Sequence, residues 1–277
     1  MLIGLVLLVF ILVATVVYWL IPYSPLKAKF NRDMKTCIQR SSQAKGILTD
    51  RDVQVLPAPV QHYLKTCGYM GRSKSSYMRI DFEKANFKLS LEKPMIHIGY
   101  SQMNFVQKPD RAAFIAASMH GIPFQGYDSF RDGKGSMRGV LAKAIPLFNE
   151  RGADMDQACL VTFLSESLLI PDAAIQSYIT WEEVDHTHAK ATIAYCGVRA
   201  HGIFTFSEDG ELCSFTTDNR TYTSMNGTRQ QVRWSVLFSD YQTRNGMKQP
   251  SRLQAIWHVP EGDILYFDSS NFHIRRF

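Results

Sequence analysis

The sequence predicts an α+β protein in which a strongly curved antiparallel sheet, a half-barrel, wraps around one or two helices and is preceded by a transmembrane helix. Three observations carry this expectation. Residues 1–23, MLIGLVLLVFILVATVVYWLIPY, hold no charged side chain, and about 20 apolar residues suffice to cross the hydrocarbon core as a helix. Beyond Arg72 the sequence takes up a two-residue rhythm, Met78, Ile80 and Phe82 alternating with Tyr77, Arg79 and Asp81, which is the period of a strand with one buried face. Strand-like runs then succeed one another with a single helical interruption, punctuated by Asp132-Gly133, Asp209-Gly210, Asn245-Gly246 and Glu261-Gly262. Asp-Gly and Asn-Gly tolerate the positive φ of tight hairpins, so the sheet is expected to be an antiparallel meander of about ten strands.

At the amino-terminal end, Tyr18, Trp19 and Tyr23 close the apolar run where amphipathic rings prefer the membrane interface, and Pro22 and Pro25 stop the helix. The basic start, short apolar core and small-residue cleavage site of a signal peptide are not found, so an uncleaved single-pass anchor in the cell membrane is expected. Lys27, Lys29, Arg32, Lys35 and Arg40 follow the span, and the positive-inside rule then favours a cytoplasmic body. The chain thus divides into an anchor (1–23), a juxtamembrane helix with a Ser-rich linker (24–46) and a single sheet domain (47–277).

The 277 residues are 45% hydrophobic and 20% charged, a globular composition rather than a disordered one. The net charge of +6 fits an anionic membrane surface, and the absence of a dense basic run argues against nucleic acid as a partner. Five cysteines form no CxxC pair, which argues against zinc. They are expected as free thiols, with a Cys196–Cys213 pair on neighbouring strands left open.

The body begins with short helices. Thr49 or Asp50 can cap one; Pro57 or Pro59 can open another that Gly68 ends, with Val60, Tyr63, Leu64 and Cys67 on its packed face. Strands are expected in IHIGYSQMNFVQ, RAAFIAASMH, FQGYDSFR, SMRGVLA, YITWEEV, KATIAYCG, AHGIFTFSE, ELCSFTTDNR, QVRWSVLFSDYQ, SRLQAIWHV and DILYFDSSNFHIRRF, after a first one that runs past Phe87 to Leu89 and Leu91. The interruption, GADMDQACLVTFLSESLLI (152–170), is a helix apolar on more than one side and ended by Pro171. It is expected to plug the open face of the sheet.

The glycine-rich stretch GYDSFRDGKGSMRG (126–139) meets neither the P-loop spacing nor the dinucleotide fingerprint. Strand-like runs flank it, so DGKG is a hairpin turn. Its strands bring Tyr127, Asp128, Arg131 and Arg138 together, either as a surface cross-strand ion pair or as polar groups lining a cavity. Glu166 lies at the centre of the stripe formed by Met155, Cys159, Phe163 and Ile170. A carboxylate there must be paired or protonated, with Arg220 or Arg138 as partners. The His186-Thr187-His188 triplet reads as a solvated hairpin tip, and Asn226-Gly227-Thr228 as a turn before it is a glycosylation acceptor. No HExxH, GxSxG or Cys/His nucleophile arrangement appears; no cofactor, metal or catalytic residue is expected.

The order PAPVQHYL, YDSFRDGKGSMRG, LVTFLSESLLIPDAAI, ITWEEVD, GIFTFSEDGELCSFTTDNRTY and a late AIWHV resembles an uncharacterised bacterial family of single-span membrane proteins with a domain of unknown function, over residues 50–277. Asp128, Gly133, Gly135, Met137, Glu166, Pro171, Trp181, Gly210, Arg220 and Trp257 match its motifs. Leu169-Ile170 stands where that family usually has a Trp before the Pro. The architecture also resembles the half-barrel of bacterial lipoprotein carriers (LolA/LolB-like), a likeness that favours an extracytoplasmic body and does not fix function. A half-barrel offers an apolar trough, so the leading expectation is a hydrophobic or lipid-like ligand bound at the membrane, with Tyr127, Asp128, Arg138, Glu166, Trp181, Arg220 and Trp257 as candidate contacts. Two alternatives stand beside it: an enzyme on an envelope lipid or glycan using Glu166 and Asp128 as acid and base, and a membrane-tethered protein-interaction module.

Overall fold

A computed structural model describes residues 2–88, 93–224, 227–270 and 272–277. Leu89, Leu91 and the asparagine of the glycosylation triplet, Asn226, lie outside the described residues. Helix α1 (Leu2–Leu20) is apolar throughout and none of it is buried; it is long and apolar enough to cross a membrane. Pro25 then opens α2 (Pro25–Arg40), whose first turn Ser24 caps by accepting from the Lys27 amide.

Two short helices follow, α3 (Asp50–Val53) and α4 (Ala58–Thr66). The Asp52 carboxylate accepts the Thr49 backbone N–H at 2.8 Å, as an N-terminal cap requires. Val60, Tyr63, Leu64 and Cys67 are fully buried, and Gly68 leaves the helix at φ +73.

The sheet forms in two arms. One comprises β1 (Tyr77–Lys88), β2 (Met95–Phe105), β3 (Arg111–Met119), β4 (Ile122–Arg131), β5 (Lys134–Leu141) and β6 (Ile145–Arg151). The other comprises β7 (Ile179–Asp185), β8 (His188–Tyr195), β9 (Val198–Phe206), β10 (Leu212–Thr223), β11 (Arg229–Ser239), β14 (Arg252–Val259) and β15 (Gly262–Ser270). The arms join where β1 pairs with β15, giving the order β6-β5-β4-β3-β2-β1-β15-β14-β11-β10-β9-β8-β7, every pairing antiparallel. Strand β16 (His273–Arg276) also pairs with β1, and β12 (Gln242–Arg244) with β13 (Met247–Gln249) forms a separate hairpin around Asn245-Gly246. Among the described residues the sheet has fourteen strands, more than the expected ten: the twelve strand-like runs all form, the final one divides into β15 and β16, and IPLFNER, which lacks a clean alternation, adds β6.

Between the arms lies α5 (Ala153–Glu166), continued by a 3-10 turn (Ser167–Leu169) and by α6 (Pro171–Ala174). It touches β4, β5 and β6 on one side and β8, β9 and β10 on the other, so the sheet is a half-barrel curled around this helix. Gly135 permits the closest approach: a Cβ there would collide with the backbone carbonyl of Met155. The DGKG stretch is the β4–β5 hairpin, with Asp132 at φ 49 and Gly133 at φ 80. Cys196 and Cys213 are both free thiols, the first exposed in the β8–β9 turn.

Helix α2 is not free. Leu26, Phe30, Met34 and Cys37 pack on Met103, Phe105, Ala112, Phe114, Tyr127 and Val140, forming a second core on the convex face of the sheet. Asp33 accepts the Tyr127 hydroxyl at 2.7 Å. Above it, Lys143 in the β5–β6 turn donates to the carbonyls of Tyr18, Ile21 and Tyr23 where α1 ends. Lys143 is only 6% exposed, its ammonium capping carbonyls left without intrahelical partners.

If this packing holds the body together, Phe30→Ala lowers unfolding stability by about 3 kcal/mol or more, the usual cost of emptying a buried aromatic site. Denaturant unfolding of the solubilised chain measures it; an unchanged midpoint would leave α2 a detached stalk.

Candidate functional site

Alternation decides which side chains enter the half-barrel. On β2, Ile98, Tyr100, Gln102 and Asn104 point to the concave face while Met103 and Phe105 face α2. On β3, Arg111, Ala113 and Ile115 are inward; on β4, Phe124, Asp128 and Phe130 are. Helix α5 covers part of this face. Beside it, under β1, β14, β15 and β11, remains a cavity of about 330 Å³. Its walls are apolar: Phe82, Ile115, Val236, Leu253, Ile264 and Phe267.

The floor is polar and buried. Arg111 Nη1 donates to Asp128 Oδ2 at 2.6 Å, and Nη2 reaches Tyr100 Oη at 3.2 Å. The Arg111 side chain is fully buried; burial opposes its charge, and the neighbouring Asp128 carboxylate, foremost, holds the guanidinium protonated. Glu166 Oε2, at the last turn of α5, accepts Gln102 Nε2 at 2.6 Å and Asn104 Nδ2 at 2.7 Å. Burial pushes the Glu166 carboxyl above its ordinary value of 4.5, with Arg111 and the two amides opposing. The Cys159 thiol donates to Asp128 Oδ1 at 3.3 Å, and burial pushes it well up.

Arg220 enters from β10. Its guanidinium lies over the rings of Trp234 and Trp257, 4.4 and 5.0 Å from their centroids, and Nη1 donates to Thr162 Oγ1 of α5 at 3.1 Å. The Trp257 ring packs in turn on Tyr222 and Tyr266. Lys88, Tyr222 and Thr223, from the ends of β1 and β10, also line the cavity.

Of the seven candidates from the sequence, Asp128, Glu166, Arg220 and Trp257 line the cavity. Three do not. Tyr127 and Arg138 face each other across β4 and β5 on the convex side, because neighbours on a strand point to opposite faces. Tyr127 therefore bonds to α2, and Arg138 is exposed. Trp181 packs on Phe204 and donates its indole N–H to Ala174 O. Glu166 hydrogen-bonds neither Arg220 nor Arg138 but the Gln102 and Asn104 amides, and the Arg111 charge acts on it besides. Arg111, Gln102 and Asn104 were not among the candidates. Their signal was phase: each is a polar residue at an inward position of an otherwise apolar alternation.

The convex face holds a relay that the sequence also did not reveal. Ser235 Oγ lies 2.9 Å from His258 Nε2, and His258 Nδ1 lies 2.7 Å from Asp263 Oδ1. These are triad distances, but the three residues sit across β11, β14 and β15 on a sheet face. Strand β11 is paired on both flanks, so its amides serve the ladders rather than an oxyanion hole.

Fold and site together define a half-barrel with an apolar, polar-floored cavity beside its central helix. Residues 46–269 match the model of a family of unknown function, DUF6544, and the chain belongs to that family. No curated protein matches. Among solved structures, a DUF1329 family protein from Desulfovibrio piger is similar at 12% identity and a TM-score of 0.42, over 80% of this chain and 93% of that one. A LolA superfamily protein from Nitrosomonas europaea is similar at 8% identity and a TM-score of 0.36, over 79% and 93%.

The raised Glu166 has a pH signature. The folded state keeps a proton that the unfolded chain loses near its ordinary 4.5, so this contribution is full below that pH and is lost as pH rises through the folded-state value. Glu166→Gln does not titrate; relative to wild type its melting temperature is expected to rise with pH above 4.5. Thermal melts on both sides of that pH check it, and a Gln variant that loses ground as pH rises would place an ionised carboxylate at the floor.

Proposed function

We propose that the protein is a membrane-anchored binder of a hydrophobic, lipid-like ligand held in the half-barrel cavity. The observation that carries this reading is the cavity itself: about 330 Å³, walled by aromatic and aliphatic side chains, with a few buried polar groups converging at one end. Small-molecule sites have this composition, and the volume sits at the lower end of their range.

The anchor reading, residues 1–23, rests on α1 and on Lys143. A lysine buried by capping α1 has a reason to be there only while α1 stays attached. Ile145 and Leu147 on edge strand β6, which follows the turn carrying Lys143, are 56% and 50% exposed, apolar groups suited to a bilayer surface.

The full chain, extracted gently from membranes and examined by native mass spectrometry, is expected to carry a lipid in fixed stoichiometry. A clean protein that takes up no lipid when offered it overturns the proposal. Lys143→Ala is expected to open the 20–25 segment to limited proteolysis in reconstituted protein, where wild type resists; equal resistance would remove the clasp from the argument.

A further inference from the structure

The cavity holds a cation that its own walls do not neutralise. Arg111 is matched by Asp128 at 2.6 Å. Arg220 forms no ion pair among the described residues. It has a hydroxyl, Thr162 Oγ1, and two indole faces. Its Nε is buried without a hydrogen-bond partner, as is Nε of Arg111. Indole faces stabilise a guanidinium and order it, but they are only weak acceptors of an N–H, and a buried donor left unmade costs free energy. Lys88, also in the lining, adds a further positive group. The facing carboxylates are spoken for: Asp128 by Arg111 and Cys159, Glu166 by Gln102 and Asn104.

From this arrangement, and resting on the lipid-binding reading above, we infer that the ligand is a single-chain amphiphile with one anionic head group, a carboxylate or phosphate ester, paired with Arg220. The planar guanidinium suits both oxyanions. The tail lies along Phe82, Ile115, Val236, Leu253 and Phe267, which line the same cavity. The size of the cavity, near the lower end of ligand sites, favours one chain over two.

Three probes of one chain length separate the possibilities: hexadecanoate, hexadecyl phosphate and hexadecanol, titrated against the full chain in lipid nanodiscs with the fluorescence of Trp234 and Trp257 as readout. One charge-assisted contact corresponds to about a tenfold preference for the two anions over the alcohol. Arg220→Gln is expected to abolish that preference while leaving hexadecanol binding in place, which also shows that the variant is folded. Arg220→Lys keeps the charge and is expected to restore part of it. Equal binding of all three probes by wild type overturns the anionic head group and leaves the lipid-binding reading intact. No binding of any probe overturns the lipid-binding reading itself. Displacement of hexadecanoate by inorganic phosphate or acetate at equal concentration would make the site one for a free anion and overturn the amphiphile.

Discussion

Burying the Arg111 guanidinium sets the terms for the concave face. A cation taken out of water is costly unless it is paired and hydrogen-bonded, and its partners come from three strands. Tyr100 and Gln102 stand on β2 and Asp128 on β4, with Arg111 on β3 between them. The group forms only when Gln102 lies opposite Ala113 and Ala113 opposite Asp128. A one-residue slip would turn all of them to the convex side. The ion pair thus acts as a register lock for the first arm. Glu166 extends the lock to α5, because Gln102 and Asn104 hold the carboxyl that ends the helix. Helix and arm are fixed together, and the cavity is the concave volume that α5 leaves uncovered.

The second constraint comes from outside. The end of β2, the start of β3 and the middle of β4 are buried on both faces, by the main core within and by α2 without. Antiparallel sheets commonly leave one face to solvent; here a helix continuous with α1 takes that place. Chain that would otherwise be a tether is part of the packed body, and Lys143 adds a cap where α1 ends. The position of α2 on the sheet is therefore fixed by packing, not left to a linker.

Much of the fold was legible because its signals are local. Alternation, hairpin dipeptides and the lone helical run depend on residues close in sequence, and each of the runs read as strands corresponds to one or two strands. The second core was not legible: PLKAKFNRDMKTCIQR places only Leu26, Phe30, Met34 and Cys37 inward, a narrow stripe that reads equally well as a stalk. The site was legible in part. Glu166 declared itself by lying on an apolar stripe. Tyr127 and Arg138 were drawn in by sequence proximity to Asp128, although strand alternation sends them to the other face. Arg111 escaped notice at the head of RAAFIAASM, where only the phase of Ala113 and Ile115 shows it to be inward.

The cavity is apolar along most of its walls and polar where Arg111, Asp128, Glu166 and Arg220 line it. On the proposed reading, these two polarities divide the free energy of transfer of an amphiphile from a bilayer. The anionic head pairs with Arg220, which β10 carries into the lining. The tail then exchanges one apolar medium for another, against Phe82, Val236 and Phe267, and little hydrophobic free energy is gained or lost in the transfer. Preference between membrane and cavity then falls to the head-group contact, whose strength depends on how dry the site is. The two indoles over Arg220 matter for this reason: on the proposed reading they cover part of the guanidinium without neutralising it and leave its charge for the ligand.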